Sequence, residues 1–298
     1  MKFINSLLIF LKGMAMGAAD VVPGVSGGTI AFISGIYDPL IKSISSFDLS
    51  LIQVLRKEGF AAFWRSVNGS FLLLLFAGIA TSVISLARLL STLLDTQPIA
   101  MWSFFLGLIA ASILLVGRQI QFNALPYSIG FFGFGLIAAL SLTFLNPMVA
   151  SDSWWYFFLS GALAICAMIL PGISGSFILV LLGSYQTVLD AVHERNLSIL
   201  FVVGLGAAFG LLSFSKLLRW LFSTYRNQTL TILVGFIAGS LPKVWPWKNE
   251  LTQLNVYMPS FETASDQLNR GIGFAVLGFA LVVLLEYVGS VVKKSAKQ

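Results

Sequence analysis

Long runs of apolar residues make up most of the chain, and only short polar stretches separate them. A helix needs about 20 consecutive apolar residues to cross the hydrocarbon core of a bilayer, which is roughly 30 Å thick. Six runs approach that length, and each predicts a transmembrane helix. They occupy residues 71–94, 99–117, 126–146, 198–222, 229–245 and 271–290.

Two further apolar segments, 3–45 and 153–190, are each interrupted by a Pro-Gly pair. Both residue types disfavour a continuing helix. Backbone groups freed by such a break cannot face lipid, so they must be buried in protein or line a polar cavity. We therefore predict two broken hairpins, re-entrant or nearly full length, that each enter and leave the membrane on one side. The breaks lie at Pro23, Gly24, Pro171 and Gly172.

Composition excludes a soluble protein. Hydrophobic residues make up 57% of the chain and charged residues 10%, with a mean hydropathy of +0.91, whereas a soluble domain is about 25% charged. The net charge of +6 forms no basic stripe, which argues against a nucleic-acid partner. Cys166 and His193 are the single residues of their types. A disulfide and a cysteine-based metal site are therefore excluded, and we expect no metal and no cofactor.

The chain contains an internal duplication. Residues 23–37 and 171–185 align without gaps at an offset of 148, with seven of fifteen positions identical. A second match, at an offset of 128, aligns Arg88 with Lys216 within a similar local sequence. Since 148 is almost half the chain length, the protein consists of two related halves.

The duplication predicts two repeats, 1–148 and 149–298, each with one broken hairpin followed by three transmembrane helices. A hairpin that returns to its own side plus three crossings gives an odd number of crossings, so the second repeat is inverted relative to the first. The expected fold is an all-α polytopic membrane protein with two inverted-topology repeats, an architecture typical of transporters. The first repeat also has an insertion, 46–68, whose bulky apolar and basic side chains predict a helix in the headgroup region.

Basic residues indicate the orientation in the membrane. With the N-terminus inside, thirteen of the eighteen Lys and Arg residues fall on the cytoplasmic side. An excess of cytoplasmic Lys and Arg is the usual bias of membrane proteins. We therefore expect a multi-pass protein of the cytoplasmic membrane with both termini in the cytoplasm.

Each break is followed by small and hydroxyl residues and then by a new apolar helix. The first N–H groups of such a helix have no partners inside it, and with the positive end of the helix dipole they bind phosphate. Two such helix starts arriving from opposite faces would form one central anion site. The alternative is that small residues merely let helices cross closely. The candidate phosphate-binding residues at the breaks are Ser26, Gly27, Gly28, Thr29, Ser174, Gly175 and Ser176.

Three charged residues add to this picture. Asp20 lies at membrane depth just before the first break, where a carboxylate is costly; it either takes up a proton that couples transport to a gradient or holds the loop in shape. Arg88 and Lys216 are equivalent in the two repeats. Inversion would place them toward opposite membrane faces, where they either receive an anionic headgroup or simply extend to the interface.

The stretch GMAMGAADVVPGVSGGTIAFISGIY, residues 13–37, resembles the polyprenyl-phosphate transporter family of bacterial membrane proteins. The resemblance extends through the second motif, PGISGS, and covers nearly the whole chain. It implies a translocase that returns undecaprenyl phosphate from the outer to the inner leaflet, for recycling of this carrier in cell-envelope synthesis. The expected partners are therefore a polyprenyl-phosphate lipid and the bilayer itself; a homo-oligomer stays open.

Two alternatives to a lipid translocase remain at the level of sequence. Undecaprenyl-diphosphate phosphatases also have broken hairpins, but they carry a PGxSRSG motif, and here residues 171–177 read PGISGSF, with Gly175 at the position of the catalytic arginine. Asp20 also stands alone where that enzyme needs paired carboxylates. We therefore predict no enzymatic activity. A transporter of another small anion is the second alternative, and the motifs do not exclude it.

Overall fold

The computed structural model describes residues 2–22, 25–48, 50–120, 125–149, 151, 153–247 and 264–295. Helices hold most of these residues, and none of them lies in a β-strand. The first half contains α1 (Lys2–Val21), α2 (Gly27–Ile33), α3 (Tyr37–Ser45), α4 (Ser50–Glu58), α5 (Phe60–Ser66), α6 (Gly69–Thr96), α7 (Pro98–Gly117) and α8 (Leu125–Phe144). The second half contains α9 (Trp154–Ile169), α10 (Gly175–Leu181), α11 (Tyr185–His193), α12 (Leu197–Thr224), α13 (Arg226–Gly239) and α14 (Ala264–Ser295).

Five helices within the described residues are long and apolar enough to cross a membrane, namely α6, α7, α8, α12 and α14. A sixth crossing results if α10 and α11, which are bent by 110° at their junction, form one broken span. The chain is thus a polytopic membrane protein, as its apolar runs predict. Local sequence sets some of the boundaries: α7 begins at Pro98, whose missing N–H is not needed in the first turn.

The predicted span 229–245 is not one continuous helix. α13 ends at Gly239, and a short 3₁₀ helix, Leu241–Val244, follows it. Glycine at the end of α13 and Pro242 just after it both disfavour continuation. At about 1.5 Å per residue, α13 reaches roughly 21 Å, which is shorter than the hydrocarbon core.

The insertion 46–68 also differs from the prediction of a single helix. It forms two short helices, α4 and α5, with Gly59 between them. Gly59 has a φ of 81°, which lies outside the helical region and is readily adopted only by glycine. The break therefore follows directly from this residue.

Glycines let α1 and α6 cross in close contact. A Cβ atom at Gly13 would clash with the backbone of Leu75, and one at Gly17 would clash with the backbone of Ile79. Because the contacts advance by four residues on both helices, α1 and α6 run parallel. The chain between them, α2 to α5, therefore returns to the side on which α1 began.

The second half repeats this pairing with α9 and α12. Gly161 lies against Val203, and farther along, the Cys166 thiol lies 3.6 Å from the carbonyl oxygen of Gly210. The contacts again advance in the same direction on both helices, so α9 and α12 are parallel. α10 and α11 thus return the chain as α2 and α3 do.

Helices from opposite halves form the other two close pairs. α7 packs along α14, where Gly107 lies against Ala275 and Ser103 lies near Gly271. α8 packs along α13, where Gly135 lies against Ile232. These pairs join the two halves, and the buried core lies between them, around the two breaks.

Polar contacts close each hairpin. In the first, the Lys12 ammonium donates to the carbonyl oxygen of Ser34 at 2.6 Å, which satisfies the C-terminal end of α2 with a positive charge. In the second, the Tyr156 hydroxyl donates to the carbonyl oxygen of Leu182 at 2.6 Å. The first helix of each hairpin therefore holds the C-terminal end of the second.

Candidate functional site

The first break is capped from within the protein. Ser26 is the N-cap of α2, with extended backbone angles, and its hydroxyl oxygen accepts a hydrogen bond from the Gly28 N–H at 3.1 Å. Asp20 Oδ1 accepts a second bond from the Gly27 N–H at 2.7 Å. These two contacts satisfy two of the first N–H groups of α2, which have no partners inside the helix. Pro23 and Gly24, which were predicted to make the break, lie outside the described residues.

The glycines of the first break allow tight packing in this conformation. A Cβ atom at Gly27 would clash with the Asp20 carboxylate. A Cβ atom at Gly28 would lie 2.6 Å from the carbonyl oxygen of Ile169 and 2.8 Å from that of Met168. The space that the sequence suggested for an anion is therefore occupied by a carboxylate and two backbone carbonyls.

The second break depends on the backbone of Gly172. Its φ of 87° is in the left-handed region, and a Cβ atom there would lie 2.9 Å from the carbonyl oxygen of Phe236. Both features require glycine. The preceding Pro171 is fully buried, so the break is enclosed by protein, as backbone at membrane depth must be.

The two breaks contact one another directly. The Thr29 hydroxyl oxygen accepts a hydrogen bond from the Gly172 N–H at 2.9 Å. The Ser26 hydroxyl faces the carbonyl oxygens of Met168 at 3.3 Å and Leu170 at 3.4 Å, to which it can donate. Residues more than 140 positions apart are thus joined by buried polar contacts, and the N-terminus of α2 faces the C-terminus of α9.

The second break differs from the first in how the N-terminus of the following helix is capped. Ser174 is the N-cap of α10, but its side chain makes no cap hydrogen bond; instead its hydroxyl lies 2.8 Å from that of Ser176. Met168 occupies the position equivalent to Asp20, so this repeat position supplies no carboxylate. Ser174 is buried and Ser176 is exposed. The second break therefore offers a pair of hydroxyl groups that extends from the interior to the surface.

Lys243 is the residue at this site that sequence reasoning missed. It lies in the 3₁₀ helix after α13, is half-buried, and places its ammonium nitrogen 2.8 Å from the centre of the Phe177 ring, in the first turn of α10. A cation over an aromatic face is favourable, more so where water is excluded. In the sequence Lys243 lies near the end of the predicted span 229–245. Its proximity to α10 arises only because α13 ends at Gly239 and a short 3₁₀ helix follows.

Arg88 and Lys216 are not brought to the breaks. Both side chains are exposed, on α6 and α12. Lys216 instead lies near Asp48: hydrogen bonds from Ser50 lower the pKa of Asp48, and the positive charge of Lys216 lowers it further. Their role as receivers of a headgroup at the membrane faces stays a prediction. Among the described residues, no group of three or more His, Cys, Asp or Glu side chains could hold a metal ion.

Comparison with known proteins agrees with these motifs. A family model described as VCA0040-like, undecaprenyl phosphate translocase-like, matches residues 16–259. The chain belongs to this family. The matched range of the undecaprenyl phosphate translocase-like family includes Asp20, both breaks and Lys243.

Two relatives carry the name polyprenyl-phosphate transporter. One, from Vibrio cholerae serotype O1, is 48% identical over 297 residues, which cover 95% of this chain and 96% of the relative. The other, from Staphylococcus aureus, is 33% identical over 262 residues, which cover 82% of this chain and 87% of the relative. No solved structure matches the chain significantly.

Proposed function

We propose that this protein is a translocase that moves polyprenyl phosphate, in particular undecaprenyl phosphate, from the outer to the inner leaflet of the bacterial cytoplasmic membrane. The observation that carries the proposal is the near full-length similarity to two proteins named polyprenyl-phosphate transporter. Return of the free carrier to the inner leaflet would serve cell-envelope synthesis.

An inverted arrangement of the two halves is part of the proposal. It is supported by the four parallel helix pairs: α6 runs with α1, α12 with α9, α14 with α7, and α8 with α13. With α6 crossing outward, successive crossings make α7 inward and α8 outward; α12 then crosses inward and α13 outward. This order of crossing directions agrees with the four parallel pairs. It makes α12 run opposite to α6, which is its equivalent in the first repeat.

The phosphate headgroup needs a polar path, because an isolated ion in hydrocarbon costs tens of kcal/mol by idealised estimates. We propose that the second break supplies its central part. Ser174 and Ser176 offer hydroxyl donors, and the ammonium of Lys243 lies against the first turn of the same helix. Arg88 and Lys216 would receive the headgroup at the two membrane faces.

The first break would join this path only after a rearrangement. The N–H of Gly27 cannot serve both Asp20 and a phosphate, and Ser26 likewise occupies the N–H of Gly28. We propose that Asp20 shapes the loop in the conformation described here. Ser26, Gly27, Gly28 and Thr29 would contact the phosphate in a second conformation, in which the contacts between the breaks are exchanged for contacts with the headgroup.

The second break lacks the arginine of the related phosphatase motif. Gly175 stands where the related phosphatase motif has its arginine, and its missing side chain instead lets α10 approach the carbonyl oxygen of Ala164. Transport without phosphoryl chemistry needs only donors and cations along the route. The proposal is therefore a transporter without enzymatic activity.

The test uses purified protein in sealed proteoliposomes that contain undecaprenyl phosphate. We expect protein-dependent equilibration of the lipid between leaflets, measured as phosphate accessible to an external probe, without release of free phosphate. Lys243→Gln should slow equilibration about tenfold or more, because a charged hydrogen-bond partner contributes about 1.5–3 kcal/mol. Lys57→Gln, on the exposed face of α4, is the matched control and should behave as the wild type does.

The outcomes separate the two parts of the proposal. If the wild-type protein produces no equilibration under a pH gradient of either sign, the assigned function is wrong, and soluble anions become the next substrates to test. If the wild type equilibrates the lipid and Lys243→Gln does so at the same rate, the function stands, but the headgroup path does not include Lys243.

A further inference from the structure

Two apolar cavities, each partly open to the surroundings, lie between helices, and each is lined by residues from both halves of the chain. The first, about 410 Å³ in volume, lies between α1, α2, α6, α7 and α14; the second, about 500 Å³, lies between the end of α9, α8, α12 and α13. Packed protein interiors have few voids larger than a water molecule. These volumes are instead in the range of ligand pockets, about 300–1,000 Å³.

The two cavities occupy equivalent positions in the repeats. Six residues of α6 and α7 that line the first cavity have their counterparts, at the offset of 128, in six residues of α12 and α13 that line the second. The cavity is therefore a feature of the repeat and not of one half alone. The pairs are Leu90 and Leu218, Leu93 and Leu221, Met101 and Thr229, Phe104 and Ile232, Phe105 and Leu233, and Leu108 and Phe236.

Each cavity reaches one of the breaks. Ile30 and Ile33 of α2 line the first cavity. Leu170, which precedes the second break, and Phe236, whose carbonyl oxygen faces Gly172, line the second. An apolar chain in either cavity would therefore lie beside the polar contacts that join the breaks.

An arginine lies next to the lining of each cavity. The first shares Phe274 with a neighbouring polar pocket that also contains Arg270. The second is lined by Tyr225, which directly precedes Arg226. Both arginines are exposed and already pair with a carboxylate, Asp266 at 3.3 Å and Asp38 at 3.0 Å. An apolar cavity with a cation next to its lining suits an anionic amphiphile whose headgroup can share or replace that carboxylate.

We propose that each cavity holds the isoprene units next to the phosphate of a polyprenyl phosphate, the first cavity for lipid from one leaflet and the second for lipid from the other. This inference rests on the proposed function. Each volume holds only a few isoprene units, so the rest of the tail stays in the bilayer. The tail would move from one cavity to the other as the headgroup passes the breaks.

The first experiment is photolabelling of the wild-type protein with a polyprenyl phosphate that carries a diazirine in its second isoprene unit. We expect labelled residues on α6 and α7 and on α12 and α13, at positions that line the cavities. Excess undecaprenyl phosphate should reduce the labelling at least tenfold, whereas the same amount of dioleoyl phosphatidic acid should not. Equal competition by phosphatidic acid would mean that the cavities hold ordinary lipid chains, and the inference would be wrong.

The second experiment fills the cavities. Leu93→Trp and Leu221→Trp place an indole in the first and second cavity, and each should slow leaflet equilibration of undecaprenyl phosphate at least tenfold. Leu89→Trp and Leu217→Trp are matched controls, because these residues are exposed on the same helices and are also related by the offset of 128. The controls should keep the wild-type rate.

The results distinguish this inference from the proposed function. If the wild-type protein moves undecaprenyl phosphate, and both cavity variants fold and move it as fast as their controls do, the cavities do not hold the tail although the function stands. If a cavity variant fails to fold, the photolabelling of the wild type decides. If the wild type moves no undecaprenyl phosphate, the proposed function itself has failed.

Discussion

Asp20 and Ser26 act at the scale of single residues, where they complete the start of α2. The carboxylate accepts from the Gly27 N–H and the hydroxyl accepts from the Gly28 N–H. An N–H group left unpaired in the protein interior would cost about 1–3 kcal/mol. The first break is thus held in one shape by its own side chains, whereas the second leaves Ser174 without a cap bond.

We predict that Asp20→Ala lowers the free energy of unfolding by about 1–3 kcal/mol, because it removes the acceptor for the Gly27 N–H. Asp20→Asn should lower the free energy of unfolding much less, since the amide oxygen can accept the same hydrogen bond. Thermal unfolding in detergent, compared with the exposed control Asp95→Asn, measures the difference. Equal loss of stability in both Asp20 variants would show that the negative charge, rather than the acceptor, holds the break.

At the scale of helices, glycines determine which elements approach closely. Gly206 of α12 lies against the backbone of Phe158 in α9, whereas Gly204, half a turn away, has open space where a Cβ atom would be. Gly78 of α6 lies against the backbone of Phe10 in α1 in the same way. In a membrane, where lipid is as apolar as the side chains, such close backbone packing is a main source of helix association.

We predict opposite effects for two neighbouring substitutions in α12. Gly206→Ala should destabilise the protein by about 1–3 kcal/mol, because the added methyl group meets the Phe158 carbonyl and overpacks the crossing. Gly204→Ala should leave stability unchanged or raise it by up to about 1 kcal/mol, since alanine favours a helix more than glycine does. Melting temperatures of the two variants in one detergent test this; a lower value for Gly204→Ala than for Gly206→Ala would contradict the described pairing of α9 with α12.

At the scale of the whole molecule, two of the parallel helix pairs link the two halves. α7 pairs with α14 and α8 with α13, so neither half is complete without the other. The breaks lie where these pairs meet. Buried polar contacts between Ser26, Thr29 and the second break join them into one site in the interior.

We predict that the C-terminal ends of α4 and α11 lie on opposite sides of the membrane. In a Cys166→Ala background, Glu194→Cys should react with a membrane-impermeant maleimide in intact cells, and Lys57→Cys should react only after permeabilisation. Both positions are exposed, so access depends on the side and not on burial. Labelling of both from the same side would contradict the inverted arrangement of the halves.

Local properties of the sequence determine the long helices of this protein and its family. Apolar runs of about 20 residues report burial in lipid whatever their neighbours are, so the long helices α6, α7, α8, α12 and α14 follow from the sequence. The family also follows from it, because the string around the first break is specific and the chain matches a translocase-like family. The approximate positions of these five helices and the membrane class needed no tertiary information.

Only the tertiary structure decided what surrounds the breaks. The sequence suggested open N–H groups at Gly27 and Gly28, but Asp20 and the carbonyl oxygens of α9 occupy that space. It placed Lys243 near the end of a predicted span, but the early end of α13 brings its ammonium group to α10. Contacts between distant residues depend on how helices pack, and no local pattern of apolar and polar positions specifies that packing.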